Sequence, residues 1–291
     1  MIVHRQSPPQ KPVRVVILGA RGFIGAALKK RLGQAAINVL SLASADTDLA
    51  LPASVETLVR ALNSSDAVVM LATLTGRDNA TLMKNLAMMQ HVIAALERTD
   101  CAHLVYFSSD AVYGLGPARV TEETPAAPQD LYGVMHLARE LMARALAKVP
   151  VLVFRPTLVY GAGDTHNAYG PNRFRRAAQK EGIIQLFGGG EETRDHIHVD
   201  DVAALTTRCL MHGSTGTLNL ATGRSVCFRE LAEMVARQFP KPVQIVETAR
   251  AQPVTHRHYD VTNLIKAFPD FKFIALEDGL ARCQEEVMGV S

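Results

Sequence analysis

The sequence predicts an α/β fold, namely a doubly wound parallel sheet followed by a smaller C-terminal lobe. Short, valine-rich apolar segments alternate with helix-like segments through the first half of the chain, as expected for βαβ units with strands buried on both faces. The first apolar segment, 13–18, leads directly into a glycine-rich turn and then a helical pattern. This alternation weakens after Tyr160. At 291 residues the chain can form one large α/β domain or two lobes.

Each element follows from its local pattern. Short apolar segments predict strands at 14–18, 38–42, 67–71, 103–108, 151–155 and 218–220. Apolar residues that recur every three or four positions predict helices at 23–32, 53–62, 81–97, 132–147, 200–211 and 228–239. Gly33 fits a helix C-cap, and the chain from Pro240 onward is typical of irregular structure with short strand-like pieces.

The weakening of the alternation predicts two lobes, with the chain crossing between them more than once. The first lobe is predicted to be a dinucleotide-binding domain of residues 13–160 with about 196–222, and the second a substrate-binding lobe of residues 161–195 and 223–291. Residues 1–12 contain three prolines and no apolar core segment, so we expect a loose N-terminal tail and not a signal peptide.

Composition argues against several classes of protein. The formal net charge is +3 with both signs interspersed, so no nucleic-acid partner is expected. No apolar stretch approaches the length of a membrane span. The four cysteines are far apart and form no C-x-x-C pair, which favours reduced thiols and a cytoplasmic setting. His196 and His198 lack a third ligand in a metal-site pattern, so we expect a packing role and no metal.

The segment Gly19-Ala20-Arg21-Gly22-Phe23-Ile24-Gly25 is the most informative part of the chain. Glycines permit a tight turn and a close approach of the backbone, and the N-terminus of the following helix offers free N–H groups to phosphates. The spacing is G-x-x-G-x-x-G and differs from the common G-x-G-x-x-G. The strand–turn–helix context nevertheless predicts a Rossmann-type dinucleotide site. The cofactor contacts predicted here are Gly19, Arg21, Gly22, Phe23, Ile24 and Gly25.

Further segments follow the later predicted strands, at the sheet edge where open α/β sheets bind ligands. They are Asp48-Leu49, Leu71-Ala72-Thr73, Asn85, Ser108-Ser109-Asp110, Tyr132-Gly133-Val134-Met135-His136, Arg155-Pro156 through Tyr160-Gly161, and Gly188 through Asp201. In order and spacing, the chain from about Val13 onward resembles the extended short-chain dehydrogenase/reductase family. The resemblance is strongest to its NAD(P)-dependent nucleotide-sugar epimerases, dehydratases and reductases.

The resemblance implies a catalytic tyrosine and one departure from the family pattern. In the family, a tyrosine is the acid/base for hydride transfer, a serine or threonine assists it, and a lysine four residues later holds the nicotinamide ribose and lowers the tyrosine pKa. Tyr132 and Ser109 match the first two, but His136 occupies the lysine position. A neutral imidazole can hydrogen-bond a ribose hydroxyl but carries no fixed charge. We therefore expect Tyr132 to keep a higher pKa than in lysine-bearing relatives, and protonation of His136 at mildly acidic pH to restore the cation.

Asp110 and the residue after it help to distinguish a dehydratase from the other enzymes of the family. Asp110 matches the general acid of the family's sugar dehydratases, but Ala111 replaces the glutamate that follows in those enzymes. Because elimination of water needs both an acid and a base, this departure argues against a dehydratase.

The cofactor implied is NADP(H) in preference to NAD(H). The predicted second strand is followed by Ala43-Ser44, without the carboxylate that NAD-preferring members use, and Arg21 resembles an arginine of NADPH-dependent members. The remaining cofactor contacts implied by the resemblance are Ser44, Asp48, Leu49, Leu71, Ala72, Thr73, Asn85, Ser108, Tyr132, His136 and Pro156.

The substrate implied is a nucleotide sugar. Arg194 and Arg250 match two family arginines that contact its diphosphate, and Asn172 fits a further contact. The other implied substrate contacts are Thr73, Ser109, Asp110 and Tyr160. Related enzymes often dimerise through the two helices that match 81–97 and 132–147, so a homodimer is expected.

The leading hypothesis is an NADP(H)-dependent reductase or epimerase acting at C4 of a nucleotide-linked hexose, which includes 4-keto-6-deoxy sugars. Tyr132 would exchange the proton, Ser109 would polarise the sugar oxygen, and His136 would hold the ribose. Two alternatives stay open. One is a carbonyl reductase or dehydrogenase for a non-nucleotide substrate, and the other is a protein that binds NADP(H) without catalysis.

Overall fold

A computed structural model describes residues 2–289, and these form two compact units. Unit 1 contains residues 2–116, 122–156 and 202–220, and unit 2 contains residues 117–121, 157–201 and 221–289.

The elements are numbered along the chain. The strands are β1 (Ile2–Val3), β2 (Arg14–Leu18), β3 (Val39–Leu42), β4 (Asp66–Met70), β5 (His103–Phe107), β6 (Arg119–Val120), β7 (Val151–Pro156), β8 (Leu158–Tyr160), β9 (Ile183–Phe187), β10 (Thr193–His198), β11 (Thr215–Leu220), β12 (Ser225–Cys227), β13 (Gln244–Thr248) and β14 (His258–Tyr259). The helices are α1 (Phe23–Gln34), α2 (Ser54–Ala61), α3 (Asn79–Thr99), α4 (Leu131–Arg144), α5 (Pro171–Glu181), α6 (Val199–Met211), α7 (Phe228–Ala236), α8 (Thr262–Ala267) and α9 (Leu276–Met288). A short 3₁₀ helix spans Asp110–Tyr113.

Unit 1 contains a seven-stranded sheet in the order β1-β11-β7-β5-β4-β2-β3. All neighbours are parallel except β1, which pairs antiparallel with β11 at one edge. Every residue of β4 and β5 is buried, as the apolar runs predict. The chain passes from β2 to β3 on one side and then returns to β4 on the other, so the carboxyl end of β2 is a topological switch point. The predicted parallel α/β fold is confirmed.

Helices α3 and α4 pack together and carry residues of the site. Asp78 caps α3 by accepting from the amide of Thr81, and Asp130 caps α4 by accepting from the amide of Gly133 at 2.8 Å. The cap at Asp130 starts α4 at Leu131, which places Tyr132 in its first turn. His136 and Arg139 follow on the same face, four and seven residues later.

Unit 2 is built from small sheets and helices. Strands β12-β10-β8 form a three-stranded sheet, and β9 pairs with β13 while β6 pairs with β14. Its core contains an aromatic cluster in which Tyr169 packs against Phe174, Phe187 and Phe228.

The N-terminal segment differs from the sequence prediction. Residues 1–12 were expected to form a loose tail, but Ile2–Val3 pair with Thr215 and Gly216 of β11, and the amides of Arg5 and Gln6 donate to the carbonyl oxygen of His212. The edge of a sheet carries unpaired N–H and C=O groups that a two-residue strand can satisfy. A strand this short leaves no periodic signal in the sequence.

Two further expectations were wrong. Gly33 lies inside α1, which continues to Gln34 with Ala35 as C-cap, while Ala36 adopts a left-handed conformation with φ 52°. The chain after Pro240 is not wholly irregular, because α9 spans 13 residues. Helix α9 buries Leu276, Gly279, Leu280 and Cys283, whose i, i+3, i+4, i+7 spacing is a helical signal that the sequence analysis missed.

Candidate active site

The glycine turn after β2 is shaped by main-chain contacts. Gly19 has a φ of +95°, and a Cβ atom there would lie 2.8 Å from the amide nitrogen of Ala72 in the segment after β4. A Cβ atom on Gly25 would overlap the carbonyl oxygen of Gly19. Gly22 is the N-cap of α1 and supplies no side-chain cap, so the first N–H groups of α1 remain available to an anion. The turn therefore has the shape that a pyrophosphate requires.

The residues implied to contact the adenosine end lie beside this turn. Arg21 is exposed and has no hydrogen-bond partner within residues 2–289, and Ser44 is exposed after β3. Asp46 was not singled out from the sequence; its carboxylate accepts from the amide of Ala43 at 2.8 Å and so stabilises the turn after β3. Asp48 is exposed and accepts from the amide of Ala50, whereas Leu49 is buried.

The segment after β4 is held by a buried asparagine. Asn85 accepts from the amide of Leu74 at 3.0 Å and donates to its carbonyl oxygen at 2.9 Å. It is only 1% exposed, so its amide fixes the segment that contains Leu71, Ala72 and Thr73. Asn85 thus positions the implied cofactor segment and has no free surface of its own.

Ser109, Asp110 and Tyr132 come together at the carboxyl end of β5. Ser109 caps the 3₁₀ helix by accepting from the amide of Ala111 at 3.2 Å. Burial raises the pKa of Tyr132 and the charge of Asp110 raises it further, whereas the guanidinium of Arg77 and a hydrogen bond with Ser109 oppose the rise. Tyr132 is therefore a neutral phenol at neutral pH, beside a serine hydroxyl.

His136 lies directly beside Tyr132. The two rings meet edge to face with centroids 4.6 Å apart, and Nδ1 of His136 is 2.8 Å from Oη of Tyr106. The ring is 2% exposed and its Nε2 has no hydrogen-bond partner in the described chain. Burial, together with the charge of Arg139, lowers the pKa of His136 to about 3. The expectation that mild acid protonates His136 is therefore wrong, because the sequence did not reveal this burial or the nearby guanidinium.

The buried ionic network around Ser108 was missed by the sequence analysis. Ser108 Oγ donates to Glu140 at 2.6 Å, and Glu140 is fully buried and forms an ion pair with Arg155 at 2.7 Å. This network ties α4 to β5 and to β7, which ends at the buried Pro156. The sequence did contain a signal for such a network: the adjacent charged residues Arg139 and Glu140 lie on the helix face that also buries Met135.

Unit 2 contains four of the predicted substrate residues, Tyr160, Asn172, Arg194 and Arg250, and unit 1 contains the other three, Thr73, Ser109 and Asp110. Arg194 and Arg250 reach the same carboxylate: Nη2 of Arg194 is 3.9 Å from Oε1 of Glu192, and Nη1 of Arg250 is 3.2 Å from Oε2. Arg250 also pairs with Glu191 at 2.5 Å, and Arg194 donates to the Thr255 carbonyl oxygen at 2.7 Å. The two guanidinium groups therefore converge.

The other two predicted substrate residues of unit 2 are buried. Asn172 is 4% exposed and donates to Asp164 at 2.8 Å. Tyr160 is 2% exposed, and its ring packs edge to face on His198. These contacts give both side chains structural roles, and their contact with substrate stays a prediction.

Neither a membrane span nor a metal cluster is found in the described part of the chain. None of the helices in residues 2–289 is both long and apolar enough to cross a bilayer. Within the same residues, no three His, Cys, Asp or Glu side chains are placed to hold a metal ion.

The fold and the glycine turn agree with the family match in defining the class: the chain is an NAD(P)-dependent enzyme of the extended short-chain dehydrogenase/reductase type. It belongs to the NAD dependent epimerase/dehydratase family, whose sequence profile matches residues 15–221. The resemblance read from the sequence motifs is thus confirmed.

Individual relatives match most of the chain. A putative GDP-L-fucose synthase 2 from Oryza sativa subsp. japonica is 27% identical over 93% of this chain and 85% of its own length. The structure of MoeE5 in complex with UDP-glucose and NAD is 26% identical with a TM-score of 0.80, covering 96% of this chain and 100% of that one. The structure of RMD from Pseudomonas aeruginosa complexed with NADPH is 24% identical with a TM-score of 0.81, covering 96% and 99%, and shows the shared fold.

Proposed function

We propose that this protein is an NADP(H)-dependent reductase or epimerase acting at C4 of a nucleotide-linked hexose, a substrate class that includes 4-keto-6-deoxy sugars. One observation carries the proposal: Ser109, Tyr132 and His136 are grouped at the carboxyl ends of the parallel strands, where open α/β sheets bind their ligands. The similarity to a putative GDP-L-fucose synthase and to a UDP-glucose complex supports the nucleotide-sugar class.

The residues of unit 1 fit a nicotinamide dinucleotide. Gly19 and Gly25 leave room that a Cβ atom would fill, and Nε2 of His136 is a buried polar atom with no hydrogen-bond partner among the described residues. When bound, such a cofactor supplies or accepts a hydride. The protein residues then hold it through the glycine turn, the N-terminus of α1, the segment 71–73 and His136.

The proton is handled by Tyr132. In reduction of a sugar ketone, Oη of Tyr132 donates its proton to the carbonyl oxygen, and the hydroxyl of Ser109 donates a hydrogen bond to the same oxygen. The raised pKa of Tyr132 keeps the phenol neutral at neutral pH. Because a reductase needs the neutral phenol and an oxidation needs the phenolate, the raised pKa favours reduction over epimerisation.

The charges of the two units support the cofactor and the substrate class. Arg21 is an exposed cation in the glycine turn, and no acidic residue occupies position 44, which favours the 2′-phosphate of NADP(H). Arg194 and Arg250 both pair with Glu192 and so present two guanidinium groups for a diphosphate. This convergence weighs against a carbonyl reductase for a non-nucleotide substrate.

The test is turnover of NADPH by the purified chain with a panel of UDP-, GDP- and dTDP-linked 4-keto sugars. We expect oxidation of NADPH with at least one member, abolished in Tyr132→Phe while NADPH binding is retained. If Tyr132→Phe turns over a confirmed substrate as fast as the parent, Tyr132 is not the acid. NADPH binding without turnover of any panel member would instead support a non-catalytic binding protein.

Assembly and location follow from the same proposal. We place the enzyme in the cytoplasm, because Cys101, Cys209, Cys227 and Cys283 are all free thiols. We also propose a homodimer formed through α3 and α4, which leave Met83 and Leu141 exposed.

A further inference from the structure

Arg139 is a fully buried cation without an ionic partner. It is 0% exposed, its Nε donates to the carbonyl oxygen of Asn85 at 2.8 Å, and its Nη1 donates to the carbonyl oxygen of Ala72 at 3.0 Å and to Oγ1 of Thr73 at 3.3 Å. Its Nη2 has no hydrogen-bond partner, and no carboxylate forms an ion pair with it within residues 2–289. A buried charge that only neutral groups solvate is costly. Its position, beside Tyr106 and the segment after β4, calls for a functional reason.

Arg139 acts on His136 through Tyr106. The hydroxyl of Tyr106 lies 2.8 Å from Nδ1 of His136, and the positive charge of Arg139 acts to lower the pKa of that hydroxyl against the effect of burial. A guanidinium has no lone pair to accept a proton, and Nδ1 of His136 is the one hydrogen-bond partner of the Tyr106 hydroxyl within residues 2–289, so the O–H proton is directed at Nδ1. Nδ1 is then an acceptor, and the proton of the neutral imidazole is on Nε2, the buried atom for which residues 2–289 provide no hydrogen-bond partner.

The same arrangement strengthens the Nε2–H donor. Hydrogen bonds in a chain polarise one another, so a cation at one end makes the last N–H more acidic. It also prevents the imidazole from becoming charged itself, because Arg139 and the burial of the ring both oppose protonation.

We propose that Arg139, acting through the hydroxyl of Tyr106, holds His136 as a neutral imidazole with its proton on Nε2, and that this polarised N–H takes the place of a lysine ammonium toward the cofactor ribose. The identity of the ribose rests on the proposed function, but the protonation state does not. Arg139 and Tyr106 are positioning residues in this arrangement. On α4, His136 therefore supplies the hydrogen bond and Arg139 supplies the permanent charge, whereas one lysine would supply both.

The first test is the tautomer and titration of His136, followed by ¹⁵N NMR on the cofactor-free protein and assigned with His136→Gln. The charged and titratable groups that face the Tyr132–His136 pair are Tyr106, Asp110, Arg77, Asp130 and Arg139. We expect the Nε2–H tautomer and no protonation between neutral and mildly acidic pH. An Nδ1–H tautomer, or titration near the ordinary histidine pKa of about 6.5, would overturn the proposal.

The second test examines the relay, by which we mean the effect of Arg139 on His136 through the Tyr106 hydroxyl, with substitutions chosen to preserve the fold. Tyr106→Phe removes one hydroxyl and keeps the ring, so we expect the tautomer preference to be lost and NADPH to bind about three- to tenfold more weakly, the value of one hydrogen bond. Arg139→Gln should raise the pKa of His136 and make NADPH binding dependent on pH, and Arg139→Lys should restore most of the parent behaviour. The matched control is Arg144→Gln, an arginine of the same helix that pairs with Glu140 and should change neither quantity.

The outcomes distinguish this inference from the proposed function. If Tyr106→Phe and Arg139→Gln leave the tautomer, the titration of His136 and NADPH binding unchanged, the relay does not exist even if nucleotide sugars are turned over. If the relay is found but no sugar is turned over, the proposed function alone fails. Should a variant not fold, the tautomer and pKa of the parent protein still decide.

Discussion

At the residue scale, burial and neighbouring charges determine the protonation states of Tyr132 and His136. Tyr132 has its pKa raised by burial and by Asp110, while His136 has its pKa lowered to about 3 by burial and Arg139. Both effects favour the neutral form of the side chain. A proton donor and a hydrogen-bond donor with constant protonation states suit a reductase that works across the neutral pH range.

The charge of Asp110 makes a prediction about the pH profile. Because Asp110 raises the pKa of Tyr132, Asp110→Asn should lower that pKa. Because the proposed reduction needs the protonated phenol, the alkaline limb of kcat against pH should move to lower pH in this variant. Glu97→Gln, an exposed acid on α3, is the control and should leave the profile in place. An unchanged alkaline limb in Asp110→Asn would mean that Tyr132 does not determine it.

Arg21 makes a prediction about cofactor choice. If its guanidinium pairs with the 2′-phosphate, Arg21→Ala should weaken the binding of NADPH about tenfold, because a charge-assisted hydrogen bond is lost. The binding of NADH, which has no 2′-phosphate, should be nearly unchanged. Ser44→Asp should erode the same preference by repelling the phosphate. Direct titration of both cofactors measures this, with Lys29→Ala, an exposed cation of α1, as the control. Equal affinity of the parent for NADPH and NADH would contradict the assignment.

Glu192 makes a prediction about the substrate. Its carboxylate pairs with both arginines and competes with a diphosphate for them. Arg194→Ala and Arg250→Ala should weaken the binding of nucleoside diphosphates, whereas Glu192→Gln should strengthen it. Calorimetry with UDP, GDP and dTDP tests all three variants, and NADPH affinity should not change. Parent-like diphosphate affinity in both arginine variants would remove the main support for a nucleotide-sugar substrate.

At the element scale, α1 and α4 position the site through their first turns. The glycine turn brings the N-terminus of α1 to the switch point of the sheet, and the Asp130 cap fixes which residues of α4 face Tyr106. A helix delivers residues at intervals of three and four to one face. Tyr132, His136 and Arg139 use this periodicity.

Two glycines of α1 make a matched pair of predictions. Gly25→Ala places a Cβ atom on the carbonyl oxygen of Gly19 and should abolish cofactor binding by displacing the turn. Gly33→Ala meets no atom within 4 Å and lies inside the helix, so it should raise the free energy of unfolding by about 0.5–1 kcal/mol. Urea unfolding and NADPH titration measure both effects. Normal NADPH binding by Gly25→Ala would show that the close packing of this turn is dispensable.

At the scale of the whole molecule, the proposed homodimer makes a prediction about two exposed apolar side chains. Met83 on α3 and Leu141 on α4 are 63% and 61% exposed, although both helices also contribute buried residues to the core of unit 1. Large exposed apolar side chains that cluster on a protein surface are common at interaction sites. A second copy of the chain is the partner that the family resemblance implies.

This surface predicts the oligomeric state. Leu141→Glu and Met83→Glu should convert a dimer into a monomer, because each places a charge in an apolar interface. Sedimentation velocity measures the mass, and Ile265→Glu, at an apolar residue of unit 2 that is 53% exposed, is the control. A parent protein that is already a monomer, or variants that remain dimeric, would contradict the assignment.

Much of the fold and part of the site followed from local sequence patterns. Strands β2, β4, β5 and β7 were predicted within one or two residues because buried parallel strands are continuous apolar runs. Tyr132 and Ser109 were assigned from the family resemblance, and the structure brings the two side chains together. The sequence did not predict the contact of Asp46 with Ala43, nor that Arg194 and Arg250 both pair with Glu192. Both arrangements depend on the conformations of loops.

The sequence by itself determined the parallel α/β class, the glycine turn and the residues at the ends of the strands, because each rests on spacing along the chain. Only the tertiary structure decided the protonation of His136, the placement of the Arg139 charge and the pairing of Ile2–Val3 with β11. Burial and the proximity of Tyr106 to His136 join residues that are 30 positions apart. Electrostatic effects depend on distance and solvent exposure in space, and those are fixed only when the chain has folded.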